Sequence, residues 1–116
     1  MRHRKRGKIL SRKIGPRRAL FRALIKNLIL YGQIKTTEAK AKSLRPKVER
    51  LINVAKSGEL VARRKLFAAL QDDQLVKKVL EILAPQYKER RGGYTKIIKV
   101  GLRKGDAAKM AIIKFV

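Results

Sequence analysis

No acidic residue occurs before Glu38, while Arg2, Arg4, Lys5, Arg6 and Lys8 crowd the first eight positions. This asymmetry constrains the fold more than any other feature, because a stretch so charged cannot enter a hydrophobic core. Residues 1–15 therefore read as a basic extension, and residues 16–116 as a single domain. A domain of that size can bury a core without disulfide or metal staples. The 45% of apolar residues in the chain argues that such a core exists.

Over the whole chain, 32 Lys and Arg stand against eight acids, a formal net charge of +24. Such an excess repels itself unless a polyanion neutralises it. Seven of the eight acids lie between Glu38 and Glu89. The basic surface therefore has a direction: the middle faces solvent or protein, and both ends face the polyanion. With no Cys, disulfides and thiolate metal sites are excluded. No apolar run is long enough for a membrane-spanning helix, and no apolar segment follows the basic lead as in a secretory signal. An organelle transit peptide would share the Arg-rich start but is usually rich in Ser, and the lead holds only Ser11.

Periodicity supplies the elements. A helix is expected from Pro16, with Gly15 as cap and Gly32 as stop. Leu20, Leu24, Leu28 and Tyr31 give it an apolar stripe that Phe21 and Ile25 widen. Gln33–Thr36 alternates like a short strand. Thr37 caps a second helix that carries Ala41, Leu44, Val48, Leu51, Ile52 and Ala55 inward and should kink at Pro46. Helices over 59–70 (Leu60, Phe67 and Leu70 inward) and 73–84 (capped by Asp72) follow. Leu20, Phe21, Phe67 and Phe115 are expected in the core. The runs 94–100 and 110–116 are β-rich and would pair as a hairpin with a basic loop. The expected fold class is α+β: about four helices packed with a small three-stranded sheet.

Catalysis is not written in this chain. His3 is the only histidine and has no partner, the acids form no spaced pair, and the glycines lack the context of a phosphate-binding loop. No cofactor, metal or small-molecule substrate is expected. What remains is contact with phosphate at many points. The extension supplies Lys8, Arg12 and Lys13 besides its first residues. The first helix supplies Arg17 and a ridge of Arg18, Arg22 and Lys26 at i, i+4 and i+8. The C-terminal loops supply Lys88–Gly93 and Arg103-Lys104. Like charges at helical spacing cost an isolated helix about 0.2–0.5 kcal/mol per pair, so an outside anion is the natural reason for the ridge. Tyr87 and Tyr94 flank the first loop, and packing is a better account of them than stacking on bases. Ten such contacts to RNA would give log affinity a slope of roughly −7 to −9 against log salt. An architectural DNA-binding protein shares the composition, although no dimer seam or minor-groove arm pair is present. A membrane-surface protein would need a helix with Trp or Phe opposite a basic face.

Five segments carry a more specific signal: MRHRKRG at the start, IKTTEAKAKSLRP at 34–46, ARRKL at 62–66, APQYKERRGGYTKI at 84–97 and GDAAKMAIIKFV at 105–116. In this order and spacing they resemble the bacterial large-subunit ribosomal protein seventeen family across nearly the whole chain. The resemblance implies an α+β domain with a small mixed sheet and a basic extension. It also implies a structural role on large-subunit ribosomal RNA, beside other ribosomal proteins near the rim of the peptide exit tunnel, in the cytoplasm. By resemblance, Arg2, His3, Arg4, Lys5 and Arg6 lie against RNA, as do Thr36, Thr37 and Lys40, and Arg90, Arg91 and Gly93. Members often carry a Ser/Thr-rich stretch and a His before the first helix, where this chain has Lys13-Ile14-Gly15-Pro16. Any contact made by that His is not carried over.

Overall fold

The computed structural model describes residues 14–116. The basic extension, with Arg2, His3, Arg4, Lys5, Arg6, Lys8, Arg12 and Lys13, lies outside the described residues. Helix α1 spans Ile14–Tyr31, two residues longer at its start than the cap signal suggests. Pro16 fits in that first turn because amides there have no helical acceptor in any case. Gly32 closes the helix with φ of 81°, its N–H donating to the Leu28 carbonyl at 2.8 Å.

Strand β1 (Gln33–Thr37) leads directly into α2 (Glu38–Lys56). Thr37 caps α2, its side chain accepting from the Lys40 amide at 3.3 Å, and Glu38 sits in the positive first turn. Ala41, Leu44, Val48, Ile52 and Ala55 form the buried stripe. Burying each of the larger ones contributes about 1.5–3 kcal/mol, which makes α2 the central element of the core. The helix continues unbroken past Pro46, which lies on its exposed side.

Helix α3 (Leu60–Leu70) corrects the expected inward face. Ala62, Leu66 and Leu70 are buried, whereas Leu60 and Phe67 are 65% and 47% exposed. Three positions four apart share one side of a helix, and the small Ala62 sets that side even though larger residues flank it. A similar rotation affects α1, where Phe21, Ile25, Leu28 and Ile29 are buried while Tyr31 is exposed.

Helix α4 (Asp73–Lys78) is capped by Asp72, whose carboxylate accepts from the amides of Gln74 and Leu75 at 3.0 and 3.2 Å. The chain stays helical through a wide turn over Val79–Leu83 and a last short piece, α5 (Ala84–Gln86). In the wide turn the Ala84 amide reaches back to the Val79 carbonyl. That geometry carries the helix past Pro85, which has no N–H and whose ring would crowd a regular turn.

Strands β2 (Thr95–Leu102) and β3 (Lys109–Phe115) form the expected hairpin. The sheet order is β1-β3-β2, and both pairings are antiparallel. The expected mixed sheet is thus corrected to a purely antiparallel one. β1 and β2 point the same way, but β3 lies between them, so no parallel neighbours exist. Beyond the Lys99–Ala111 pair the register shifts to Gly101–Met110. Gly101 has φ of 101°, and a bulge there turns the end of β2. Ala111 and Ile113 are buried, and Ile34, Ile97 and Phe115 pack on the same core. The helices, α2 foremost, contact this one face of the sheet.

Candidate nucleic-acid interface

The ridge on α1 is only partly open. Arg18 is exposed, but Arg17, Arg22 and Lys26 are half-buried. The Arg22 Nε donates to the Ala69 carbonyl at 3.2 Å, near the C-terminal end of α3 where unpaired carbonyls are concentrated. Arg22 thereby fastens α1 to α3. Periodicity detects that three cations share a line, yet it cannot detect that another helix end lies beneath the middle one.

The Lys88–Gly93 loop is held from α2 by a connected polar cluster. Glu49 accepts from three groups: the Gly93 amide at 3.1 Å, the Thr95 hydroxyl at 3.1 Å and the Arg45 Nε at 3.0 Å. Gly93 has φ of 64°, the left-handed turn that aims its N–H at Glu49. The fully buried Tyr94 donates its hydroxyl to Asn53 Oδ1 at 2.5 Å. Lys56 donates to that same hydroxyl at 3.0 Å and also to the Arg90 carbonyl, while its ammonium lies 5.2 Å from the Tyr94 ring centroid. The result leaves Arg90 and Arg91 exposed, side by side, on a loop whose backbone is fixed. Gly93 positions this pair through its amide.

Tyr87 and Tyr94 are packing residues, with ring centroids 5.2 Å apart, and Tyr87 stands 6.4 Å from Phe115. The Tyr87 hydroxyl donates to the Val116 carbonyl at 2.7 Å, and burial pushes its pKa up. Neither ring is open to a base.

The second loop, Arg103–Ala108, ties itself. Asp106 accepts from Arg103 Nε and Nη2 at 3.1 and 2.5 Å and from the Ala108 amide at 3.1 Å. The Arg103 fork, and then the Ala108 N–H, hold the Asp106 carboxyl down at about 2. Arg103 is thus neutralised locally, and Lys104 remains the free cation of this turn.

Thr36 is buried on the inner face of the sheet, while Thr37 and Lys40 are half-buried, and the Thr37 hydroxyl is already engaged as the α2 cap. Beside them a shallow hollow of about 400 Å³ is lined by Thr37, Glu38, Ala39, Lys42, Ala108 and Lys109. Glu38 pairs with Lys42 at 2.8 Å and lies 3.7 Å from Lys99. The Lys42 hydrogen bond, and then the charges of Lys42, Lys99 and Lys109, hold its carboxyl below the usual range.

Among the described residues, ion pairs engage Lys42, Arg45, Lys99 and Arg103. Of the expected contact residues, Arg18, Arg90, Arg91 and Lys104 are exposed and form no ion pair; the same holds for Lys88 and for cations elsewhere, among them Arg63, Arg64 and Lys65 on α3. No group of His, Asp and Glu among the described residues could hold a metal ion. No described helix is long and apolar enough to cross a membrane. The positioning residues Glu49, Asn53 and Lys56 escaped the sequence reading. Their signal was present: they recur at i, i+4 and i+7, a polar stripe on α2.

Comparison with known proteins agrees with the geometry. Residues 20–116 match the family model described as Ribosomal protein L17. The protein named "Large ribosomal subunit protein bL17" from Paramagnetospirillum magneticum is 49% identical over all 116 residues, covering 83% of that relative. Its namesake from Sphingopyxis alaskensis is 49% identical with 84% covered, and that from Cereibacter sphaeroides 50% identical with 84% covered. The match runs from the basic lead to the last strand, and the chain belongs to the ribosomal protein L17 family.

Proposed function

We propose that the chain packs large-subunit ribosomal RNA by meeting its phosphates at the extension, the exposed part of α1 and the loop bearing Arg90 and Arg91. The L17 family is structural and non-enzymatic, and as a member the chain is a constituent of the large ribosomal subunit in the bacterial cytoplasm. The observation that carries the finer reading is that Arg18, Lys88, Arg90, Arg91 and Lys104, among other exposed cations of the described residues, form no ion pair. Phosphate is the partner that relieves such a surface, and contacts of this kind fix position and shape rather than sequence. The basic extension, set at residues 1–15 by the sequence and shortened to 1–13 by the start of α1 at Ile14, acts as a separate arm on the domain that follows, threading between RNA helices. A place near the rim of the exit tunnel, beside neighbouring ribosomal proteins, follows from the family resemblance.

Removal of residues 1–13 tests this. The shortened chain should keep its circular-dichroism spectrum and melting transition, while binding to large-subunit RNA weakens and its salt slope becomes shallower. Recovery of the full chain with the nucleoid after RNase treatment, in place of salt-resistant sedimentation with the large subunit, would falsify the reading.

A further inference from the structure

The outer face of the sheet is a surface that the loops and α1 do not account for. Residues at even positions of β3 (Met110, Ile112 and Lys114) point away from the helices, as the burial of Ala111 and Ile113 between them requires. The register builds rows across all three strands. Lys114 lies between Gln33 and Lys96, and Ile112 lies between Lys35 and Ile98. Ile98 is 39% exposed and Val100, at the bulge, 41%. None of Ile98, Met110 and Ile112 joins the core. An aliphatic strip therefore runs along the open face, with Lys35, Lys96 and Lys114 around it and no acid among these positions.

We infer that this face is a second RNA surface, which takes the base and ribose faces of an unpaired or irregular strand on Ile98 and Ile112 while the three ammonium groups meet its phosphates. It rests on the reading of the chain as a ribosomal-RNA binder. The charge pattern selects the occupant. A polypeptide would have to place an acid opposite each of three fixed lysines, whereas an RNA strand offers a phosphate at every nucleotide. Aliphatic side chains give flat, non-directional contact, which suits irregular RNA recognised by shape rather than base identity. The strip carries no aromatic ring, so it differs from sheets that stack bases one by one.

The test uses assembled large subunits that contain the full chain. Lys35, Lys96 and Lys114 should lose their reactivity towards acetylation relative to the free protein, and ultraviolet irradiation should leave nucleotide adducts on the 95–114 segment. Full acetylation of these lysines in the particle overturns the inference. So does protection with carbodiimide crosslinks to a neighbouring protein's carboxylates in place of nucleotide adducts. Lys88 serves as the reference for the underlying reading. If it is protected and carries adducts nearby while the sheet lysines react, only the present inference fails; if Lys88 also reacts freely and bears none, the reading of the loop fails as well. A second variant separates the apolar part from charge. In the full chain, Ile98→Thr should weaken binding to a uridine homopolymer without altering its salt slope, with the fold checked by circular dichroism. Unchanged affinity in a folded variant would count against the aliphatic contact.

Discussion

The Lys88–Gly93 and Arg103–Ala108 loops are both basic and exposed, yet they are held by opposite means. The first is fastened by residues 34 to 46 positions away, through Glu49, Asn53 and Lys56 on α2. The second is fastened by Asp106 to groups two and three positions away. The first loop therefore has its shape only if the domain is folded, while the second carries its shape with it. A rigid loop presents Arg90 and Arg91 at a set spacing and loses little ordering entropy on meeting RNA. Arg103 has already met an acid, and its turn offers Lys104 alone.

The sharpest way to break this contrast is to remove Glu49. Glu49→Ala leaves the Thr95 hydroxyl, which is 2% exposed, without its acceptor, and also frees the Gly93 amide. Losing these partners should cost about 2–3 kcal/mol in chemical denaturation. Amide exchange at Gly93 should rise, whereas exchange at Ala107 and Ala108 should stay as it was. Equal effects on both loops would show that they form one unit. Tyr94→Phe comes next, at about 1 kcal/mol, because it removes one hydroxyl from the same cluster and keeps the ring. The lost link between Asn53 and Lys56 should loosen the Arg90 carbonyl, which nitrogen-15 relaxation of that segment would report.

The opposite sign is expected in the second loop. Ala107 has φ of 56°, a left-handed conformation that costs an L residue about 1 kcal/mol. Ala107→Gly removes that strain but adds freedom to the unfolded chain, so a gain of at most about 0.5 kcal/mol should appear in thermal melts. A loss larger than the mutants of the first loop show would mean that the Ala107 methyl packs on something essential.

The contrast also explains what was legible in the sequence. Caps are local, so Thr37, Asp72 and Gly32 marked their helix ends correctly. Strand alternation is local too, and the three strands were found within two residues of their bounds. The direction of a helix face is not local. Leu60 and Phe67 looked like core because they are large, but the side of α3 that meets α2 is set by Ala62, Leu66 and Leu70. Arg22 looked like part of an open ridge until the end of α3 was placed beneath it. Glu49 was one acid among eight, and only the return of the chain at Gly93 and Thr95 shows what it holds. The basic character of the surface is a sum and survives such errors; the list of which cations are free does not.

The smallest effect is the most selective. Asp106 is held at about 2 by the Arg103 fork and the Ala108 amide, against an ordinary value of 3.8. A carboxyl with a lowered folded pKa contributes stability above its unfolded value, and that contribution is lost as pH falls through the folded one. Between about pH 4 and pH 2 the Arg103–Ala108 loop should therefore loosen, with no corresponding change at neutral pH. Because this carboxylate is fully exposed, the global melting temperature should barely respond, and the change belongs to the loop alone. Proton-detected titration of the Ala108 amide would follow it, and Asp106→Asn should abolish the midpoint at about 2 while leaving Gly93 untouched. If the Gly93 amide followed the Ala108 titration curve in the wild-type chain and lost it in Asp106→Asn, the two loops would be coupled through the hairpin. The independence inferred from their hydrogen bonds would then have to be given up.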